Sequence, residues 1–249
     1  MADPSRQAAD ADPRQLWFAP PDGAERPRPA LTRERVVAEA LAVIGANGAG
    51  ALSMRALAGR LGVAPGALYR HVRSKEQLCD LVVDGVLAEV DCGVDPSVTW
   101  AAQVGVLAGR LRAILEDHPG IAALLKTRDP LGPHSLALAE AFLAALREAG
   151  LPQRETALAY SLIYDYTLGF ALSDRTTVNE QRVQDAATRH RLHAFFRSLP
   201  ADRFPVLAVL GEYVWTDDRD ERFTAGLDTL LMGLQAARQL QAAGGAGKT

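Results

Sequence analysis

Residues 53–75 constrain the fold of this chain more than any other stretch, because they predict two short helices joined by a tight turn. Ser53 can cap the first turn of one helix, and Gly62 supplies the left-handed conformation that ends it. Between them, apolar residues follow the three-and-four spacing of one helical face: Met54, Leu57, Ala58 and Leu61. Pro65 suits the first turn of a second helix, expected to run to about His71. The spacing predicts a helix-turn-helix unit whose second helix reads DNA.

The side chains of that second helix divide into an inner and an outer group. Leu68 and Val72 lie four residues apart and can face a core. Gly66 and Ala67 are small enough for the helix to approach base edges in a major groove, and Arg70 can pair bidentately with guanine. Other polar side chains suit phosphate oxygens: Tyr69, His71, Arg73 and Lys75. The predicted DNA contacts of the unit are Ser53, Arg55, Gly66, Ala67, Tyr69, Arg70, His71 and Lys75. The alternative is a solvated face of an ordinary amphipathic helix.

Charge is distributed unevenly along the chain. Residues 31–76 carry seven Arg or Lys against three Glu, whereas residues 77–249 carry sixteen against twenty-two acidic residues. The overall net charge of −3 conceals this difference. A local basic region on an otherwise acidic chain favours phosphate binding by residues 31–76 alone.

Composition and motifs exclude several functional classes. At 249 residues and 48% hydrophobic content, the chain is long and apolar enough to bury a sizeable core. No apolar run has the length of a transmembrane helix and the polar start lacks a signal peptide, so we expect a cytoplasmic protein. Cys79 and Cys92 are predicted to be buried free thiols. His190 and His193 lie three apart without an acidic or thiol partner nearby. We therefore predict no catalytic residue, no metal site and no cofactor.

Domain boundaries follow from breaks in the pattern. Residues 1–30 contain six prolines and predict a flexible arm, in which Arg26 and Arg28 either reach an adjacent minor groove or belong to a solvated linker. Residues 31–76 form the predicted helix-turn-helix domain, beginning with a helix capped by Thr32 and stopped at Asn47-Gly48. The remaining predicted segments are a regulatory and dimerisation domain over 77–243 and a flexible tail over 244–249.

Residues beyond 76 predict helices throughout. A connecting helix opens at Ser74, with Gln77 completing a capping box, and continues to about Val90. Helical periodicity then recurs without sustained two-residue alternation. The predicted later helices span 97–116, 121–126, 134–149, 153–173, 180–198, 201–212 and 220–243. The fold class is therefore all-α, with a three-helix DNA-binding domain followed by a larger helical domain.

This order of elements resembles the tetracycline-repressor (TetR) family of bacterial transcription regulators. The resemblance covers the chain from Leu31 onward and is carried by these strings: Leu68-Tyr69-Arg70-His71-Val72, Ser74-Lys75, Leu115-Glu116-Asp117-His118-Pro119-Gly120, Thr127-Arg128 and Tyr166-Thr167-Leu168-Gly169-Phe170. It implies that the third helix enters the major groove and that Tyr69 and Lys75 hold phosphates. It also implies a homodimer joined by a four-helix bundle, which maps here onto 153–173 and 220–243. Ala64 replaces a frequent capping Ser or Thr, and Leu124 replaces the metal-ligating His of tetracycline-binding members, which argues against a magnesium-chelated tetracycline.

The resemblance also implies a small-molecule cavity in the second domain. Aromatic and sparsely polar side chains suit a large apolar ligand, although such residues also fill ordinary cores. The candidates are Trp100, His118, Arg128, His134, Phe142, Tyr160, Tyr164, Asp165 and Trp215. The predicted function is a repressor that binds a palindromic operator as a homodimer and is released by a small, largely apolar molecule. Alternatives are control by a protein partner, absence of any effector, or an enzyme using His118 and Asp165.

Overall fold

A computed structural model describes residues 30–128, 131–173, 186–216 and 219–246. The predicted all-α class is confirmed, because the described residues form eleven α-helices and no strand. The first four are α1 (Arg33–Asn47), α2 (Met54–Leu61), α3 (Pro65–Leu68) and α4 (Lys75–Leu87). The others are α5 (Trp100–Asp117), α6 (Ile121–Lys126), α7 (Pro133–Glu148), α8 (Gln153–Ser173), α9 (Ala186–Arg197), α10 (Pro205–Thr216) and α11 (Arg219–Ala246). No helix in these ranges is both long and apolar enough to cross a bilayer.

The helix-turn-helix forms through the local signals expected of it. Ser53 Oγ accepts a hydrogen bond from the Ala56 amide at 3.2 Å, and Gly62 has φ of 67°, so both ends of α2 are confirmed. The second helix is shorter than predicted, because its α-helical part ends at Leu68. The chain then tightens into a turn in which the His71 amide donates to the Leu68 carbonyl at 2.9 Å. Ser74 has an extended backbone and starts the next helix, which leaves no room for a further α-helical turn before it.

Helix α4 connects the two halves of the fold. Ser74 Oγ accepts from the Gln77 amide at 3.2 Å, and Gln77 Oε1 accepts from the Arg73 amide at 2.6 Å. The capping box is thus confirmed, with its second bond shifted to the amide before the cap. The helix ends at Leu87 rather than near Val90 and packs against α1, α6 and α7. Its buried face consists of Leu78, Cys79, Val82, Val83, Val86 and Leu87.

The larger half is built around α5, α7 and α8, which pack against one another. Its fully buried side chains include Leu107, Leu111, Phe142, Leu146 and Ile163. Several predicted boundaries move by a few residues: the helix predicted from 97 begins at Trp100 because Thr99 caps it, and the one predicted over 201–212 begins at Pro205. The predicted start near 180 lies outside the described residues.

Arg112 joins α5 to the first turn of α11. Its side chain is buried, pairs with Glu116, and donates from Nη2 to Asp220 Oδ1 at 2.6 Å. Its guanidinium carbon lies 5.1 Å from the ring centre of Phe170 and 4.8 Å from that of Phe223. Charge pairing and ring contacts therefore hold α5, α8 and α11 together at one point.

The junction of α8 and α11 leaves no room for a methyl group at Gly226. The Tyr166 hydroxyl donates to the Phe223 carbonyl at 2.9 Å, and a Cβ on Gly226 would overlap this hydroxyl. We expect Gly226→Ala to lower the free energy of unfolding by about 1–3 kcal/mol through overpacking. Urea unfolding at fixed protein concentration measures the change. Gly109→Ala is the matched control, since nothing lies within 4 Å of that position; an equal loss in both variants would contradict the steric argument.

Candidate nucleic-acid interface

The recognition segment, residues 65–71, exposes most of its small and polar residues, while Ala67 and His71 are half-buried. Leu68 and Val72 are buried, as predicted, and fix the segment to the core of the first half. Gly66 and Arg70 are exposed, and Tyr69 is 53% exposed. The geometry offers a short, unobstructed helix end with an aromatic hydroxyl and a guanidinium beside it, which is what an approach to base edges requires.

Neighbouring elements hold this surface in place. The Arg33 Nε group donates to the His71 carbonyl at 3.2 Å, which ties the turn after α3 to the start of α1. Arg60 pairs with Glu39 and thereby links α2 to α1. Among the residues that the structure describes, Arg55 and Arg70 make no ion pair, so both guanidinium groups are free to meet phosphate or base atoms. Ser53 caps α2 and is exposed, while Lys75 begins α4 and is half-buried.

The predicted effector residues do not all lie together. Three of them form a chain of rings: the ring centres of Phe142 and Tyr160 are 6.1 Å apart, and those of Tyr160 and Tyr164 are 5.7 Å apart. Phe142 is fully buried, and burial raises the pKa of both tyrosines, with the nearby charge of Asp165 adding to the effect. Within the described ranges, neither tyrosine hydroxyl makes a hydrogen bond. This cluster is therefore largely apolar with two polar points.

Two other candidates contact the connecting helix, and a third contacts the segment that follows it. Arg128 Nε donates to Asp80 Oδ1 at 2.6 Å, and its Nη2 donates to the Glu76 carbonyl at 2.9 Å. His134 Nδ1 lies 2.9 Å from Asp84 Oδ2. His118 Nε2 lies 2.9 Å from Glu89 Oε2, just beyond the end of α4. The sequence analysis did not identify the partners of these basic side chains. The four-residue spacing of Asp80 and Asp84, which places both on one face of α4, is the signal that could have pointed to them.

The remaining candidates are scattered or outside the described atoms. Trp100 is half-buried at the start of α5, and Asp165 is exposed on α8. Arg26 and Arg28 lie outside the described residues, as does the side chain of Trp215. In the part of the chain that is described, no group of three or more His, Cys, Asp or Glu side chains could hold a metal ion.

Known proteins resemble this chain over nearly its whole length. Residues 36–82 match the family described as bacterial regulatory proteins, tetR family, and residues 93–238 match the tetracyclin repressor-like C-terminal domain. An HTH-type transcriptional regulator of Saccharopolyspora erythraea is 32% identical over 94% of this chain and 96% of its own length. The Escherichia coli tetracycline repressor protein class D is 30% identical over 86% of this chain and 95% of its own.

Among solved structures, the TetR family protein ActR of Streptomyces coelicolor in complex with actinorhodin has a TM-score of 0.74. Its sequence is 34% identical, and the match covers 84% of this chain and 99% of that one. The helix-turn-helix geometry, the two matched domains and the coverage of these relatives agree. This chain belongs to the TetR family of helix-turn-helix DNA-binding transcriptional regulators.

Proposed function

We propose that the protein is a repressor that binds a palindromic operator as a homodimer and releases it when a small, largely apolar molecule binds the second half. The observation that carries this proposal is the segment 65–71, in which Gly66, Tyr69 and Arg70 are exposed. Leu68 and, just after the segment, Val72 are buried and anchor it. In this role the protein would act in the cytoplasm, and we assign it no catalytic residue. We assign DNA binding to 31–76, regulation and dimerisation to 77–243, and flexible ends to the rest.

The proposed DNA contacts fall into two classes. Gly66 and Ala67 let the helix end approach the major groove, where Arg70 bonds guanine O6 and N7. The other contacts position the protein on phosphates and carry no sequence information: Ser53, Arg55, Tyr69, His71 and Lys75. Arg26 and Arg28 would extend this electrostatic contact into the neighbouring minor groove.

Exposed apolar side chains support the homodimer. Leu158 and Leu162 on α8 are 53% and 45% exposed, and Met232 on α11 is 60% exposed. These two helices pack against each other, so their outer faces can together form half of a four-helix bundle. A second copy of the chain would remove this apolar surface from water. The dimer would then place two recognition segments one helical turn of DNA apart, at about 34–36 Å.

The ring chain of Phe142, Tyr160 and Tyr164 supports an aromatic or otherwise largely apolar effector. Its two hydroxyl groups lack protein partners among the described residues and offer points for hydrogen bonds to a ligand. The related protein ActR has been solved in complex with actinorhodin, which supports a small-molecule ligand for this chain. An effector that favours one orientation of α4 would weaken operator binding about 5-fold to 150-fold, which corresponds to a coupling of about 1–3 kcal/mol.

The test begins with a random pool of DNA duplexes, from which the purified full-length protein selects its binding sites. We expect recovery of an inverted repeat whose half-sites are one helical turn apart. Compounds are then screened for release of the recovered duplex. Recovery of no common sequence would contradict the proposal, whereas an operator that no compound releases would favour control by a protein partner or the absence of an effector.

Arg70→Ala should weaken binding to the selected operator by about 1–3 kcal/mol, because one bidentate base contact is lost from each half-site. It should also relax the sequence preference at the contacted base pair. Lys75→Ala is the matched control: it should weaken binding to all duplexes alike and reduce the slope of log affinity against log salt by about one per lost phosphate contact. Fluorescence anisotropy across a salt series measures both variants. Unchanged selectivity in Arg70→Ala would remove its base-reading role.

A further inference from the structure

Asp84 on α4 occupies the N-terminus of α7, a helix of the other half. Its Oδ1 atom accepts hydrogen bonds from the amides of His134 and Ser135, each at 3.0 Å, and from the Ser135 hydroxyl at 3.1 Å. Its Oδ2 atom lies 2.9 Å from His134 Nδ1. One carboxylate thus satisfies four polar groups in the first turn of a helix that lies about fifty residues further along the chain.

Helix α7 has no cap of its own. Its N-cap residue is Gly132, which offers no side chain, and Pro133 follows it. A Cβ on Gly132 would overlap the Asp84 carboxylate, so the glycine permits the close approach of α4. Partial burial alone would raise the pKa of Asp84, but the hydrogen bonds from Ser135 and His134 outweigh it and hold that pKa below its ordinary value. The negative charge also meets the positive end of the α7 dipole.

A second contact lies one turn earlier on the same face of α4. Asp80 pairs with Arg128, which also donates to the Glu76 carbonyl, and this pair joins α4 to the chain after α6. Hydrogen bonds of this kind weaken steeply when donor and acceptor separate beyond about 3.5 Å. A small tilt or shift of α4 would therefore break both the Asp84 cap and the Asp80–Arg128 pair, so each contact has two states, formed and broken.

We propose that Asp84, supported by the Asp80–Arg128 pair, is an interdomain latch that positions the DNA-binding half: it caps α7 when α4 is in the DNA-competent orientation and releases α7 when α4 moves. This inference rests on the proposed function and adds the residues that couple the two halves. Arg128 and His134 then act on α4 and not on the effector. Because coupling between sites is reciprocal, operator DNA must itself favour the closed latch, and an unidentified effector is not needed to test it.

The test is hydrogen exchange of full-length protein with and without the duplex selected by the wild type. In the wild type, operator should slow exchange of the His134 and Ser135 amides about fivefold or more, as the coupling range requires. In Asp84→Ala, exchange at these amides should be fast and should not respond to operator, although the protein still binds it. Asp84→Asn keeps an acceptor oxygen and should restore part of the response.

Asp95→Ala is the matched control, because Asp95 Oδ1 caps the Ser97 amide at 2.8 Å within one loop and joins no two halves. Its response to operator at His134 and Ser135 should equal that of the wild type. A wild type that binds operator with unchanged exchange at these amides would overturn the latch, as would an equal response in Asp84→Ala. A wild type that selects no duplex would overturn the proposed function and the latch with it.

Discussion

Replacing Leu158 and Leu162 together by Glu should convert the protein to a monomer and weaken operator binding by about 100-fold to 10,000-fold. Both side chains are about half-exposed in the single chain, so the carboxylates can stay in water and the fold is retained. In a bundle of two copies the same carboxylates would be buried without partners, which strongly disfavours association. Each half-site is then bound independently, and the gain from two linked contacts is lost.

Light scattering after size-exclusion chromatography measures the mass, and anisotropy measures operator affinity. Leu136→Glu is the matched control: Leu136 is also 53% exposed but lies on α7, outside the proposed bundle. It should remain dimeric and bind operator normally. A double variant that stays dimeric would place the interface elsewhere on the chain.

Phe142→Ala should lower the free energy of unfolding by about 3–5 kcal/mol, the second large effect that we expect. Phe142 on α7 is 1% exposed and contacts the Tyr160 ring, so truncation removes a large apolar side chain and leaves a cavity between α7 and α8. Urea unfolding monitored by circular dichroism, at one fixed protein concentration, measures the loss.

Phe142→Leu provides the comparison, because it retains most of the apolar volume and should cost less than half as much. The pair of variants also separates two roles for this residue. If Phe142→Ala loses less than about 1 kcal/mol, the surrounding side chains relax into the space, and the phenylalanine lines a pliable cavity rather than the core.

The first half of the fold was predictable from sequence because its signals are local. Ser53, Gly62 and Pro65 set the limits of α2 and the start of α3, and the four-residue spacing of Leu68 and Val72 identified the buried side. These signals depend on neighbouring residues and backbone preferences, which a sequence states directly. The early end of α3 at Leu68 is harder to predict from sequence, because it depends on where the next helix begins.

The contacts between halves could not be predicted in the same way. The sequence offers Arg128 and His134 as candidate effector residues, and it does not show that they contact Asp80 and Asp84, which lie 48 and 50 residues away. Which helix faces which is decided by packing over the whole chain, and no local pattern encodes it. The sequence does contain one weak indication. The sixteen-residue helix α7 begins after Gly132, which has no side chain to cap it, so the cap must come from elsewhere in the chain.

Because Asp84 on α4 caps α7, the position of the junction matters when a hybrid regulator is built from this protein. A chimera that takes its DNA-reading segment from another repressor and joins it after residue 90 would discard Asp84, and the graft would expose two amides that the recipient cannot satisfy. If the junction lies before α4, between the recognition segment and Ser74, the chimera keeps both Asp80 and Asp84 of this protein. A DNA-binding segment that is exchanged into this protein should therefore end at about residue 73.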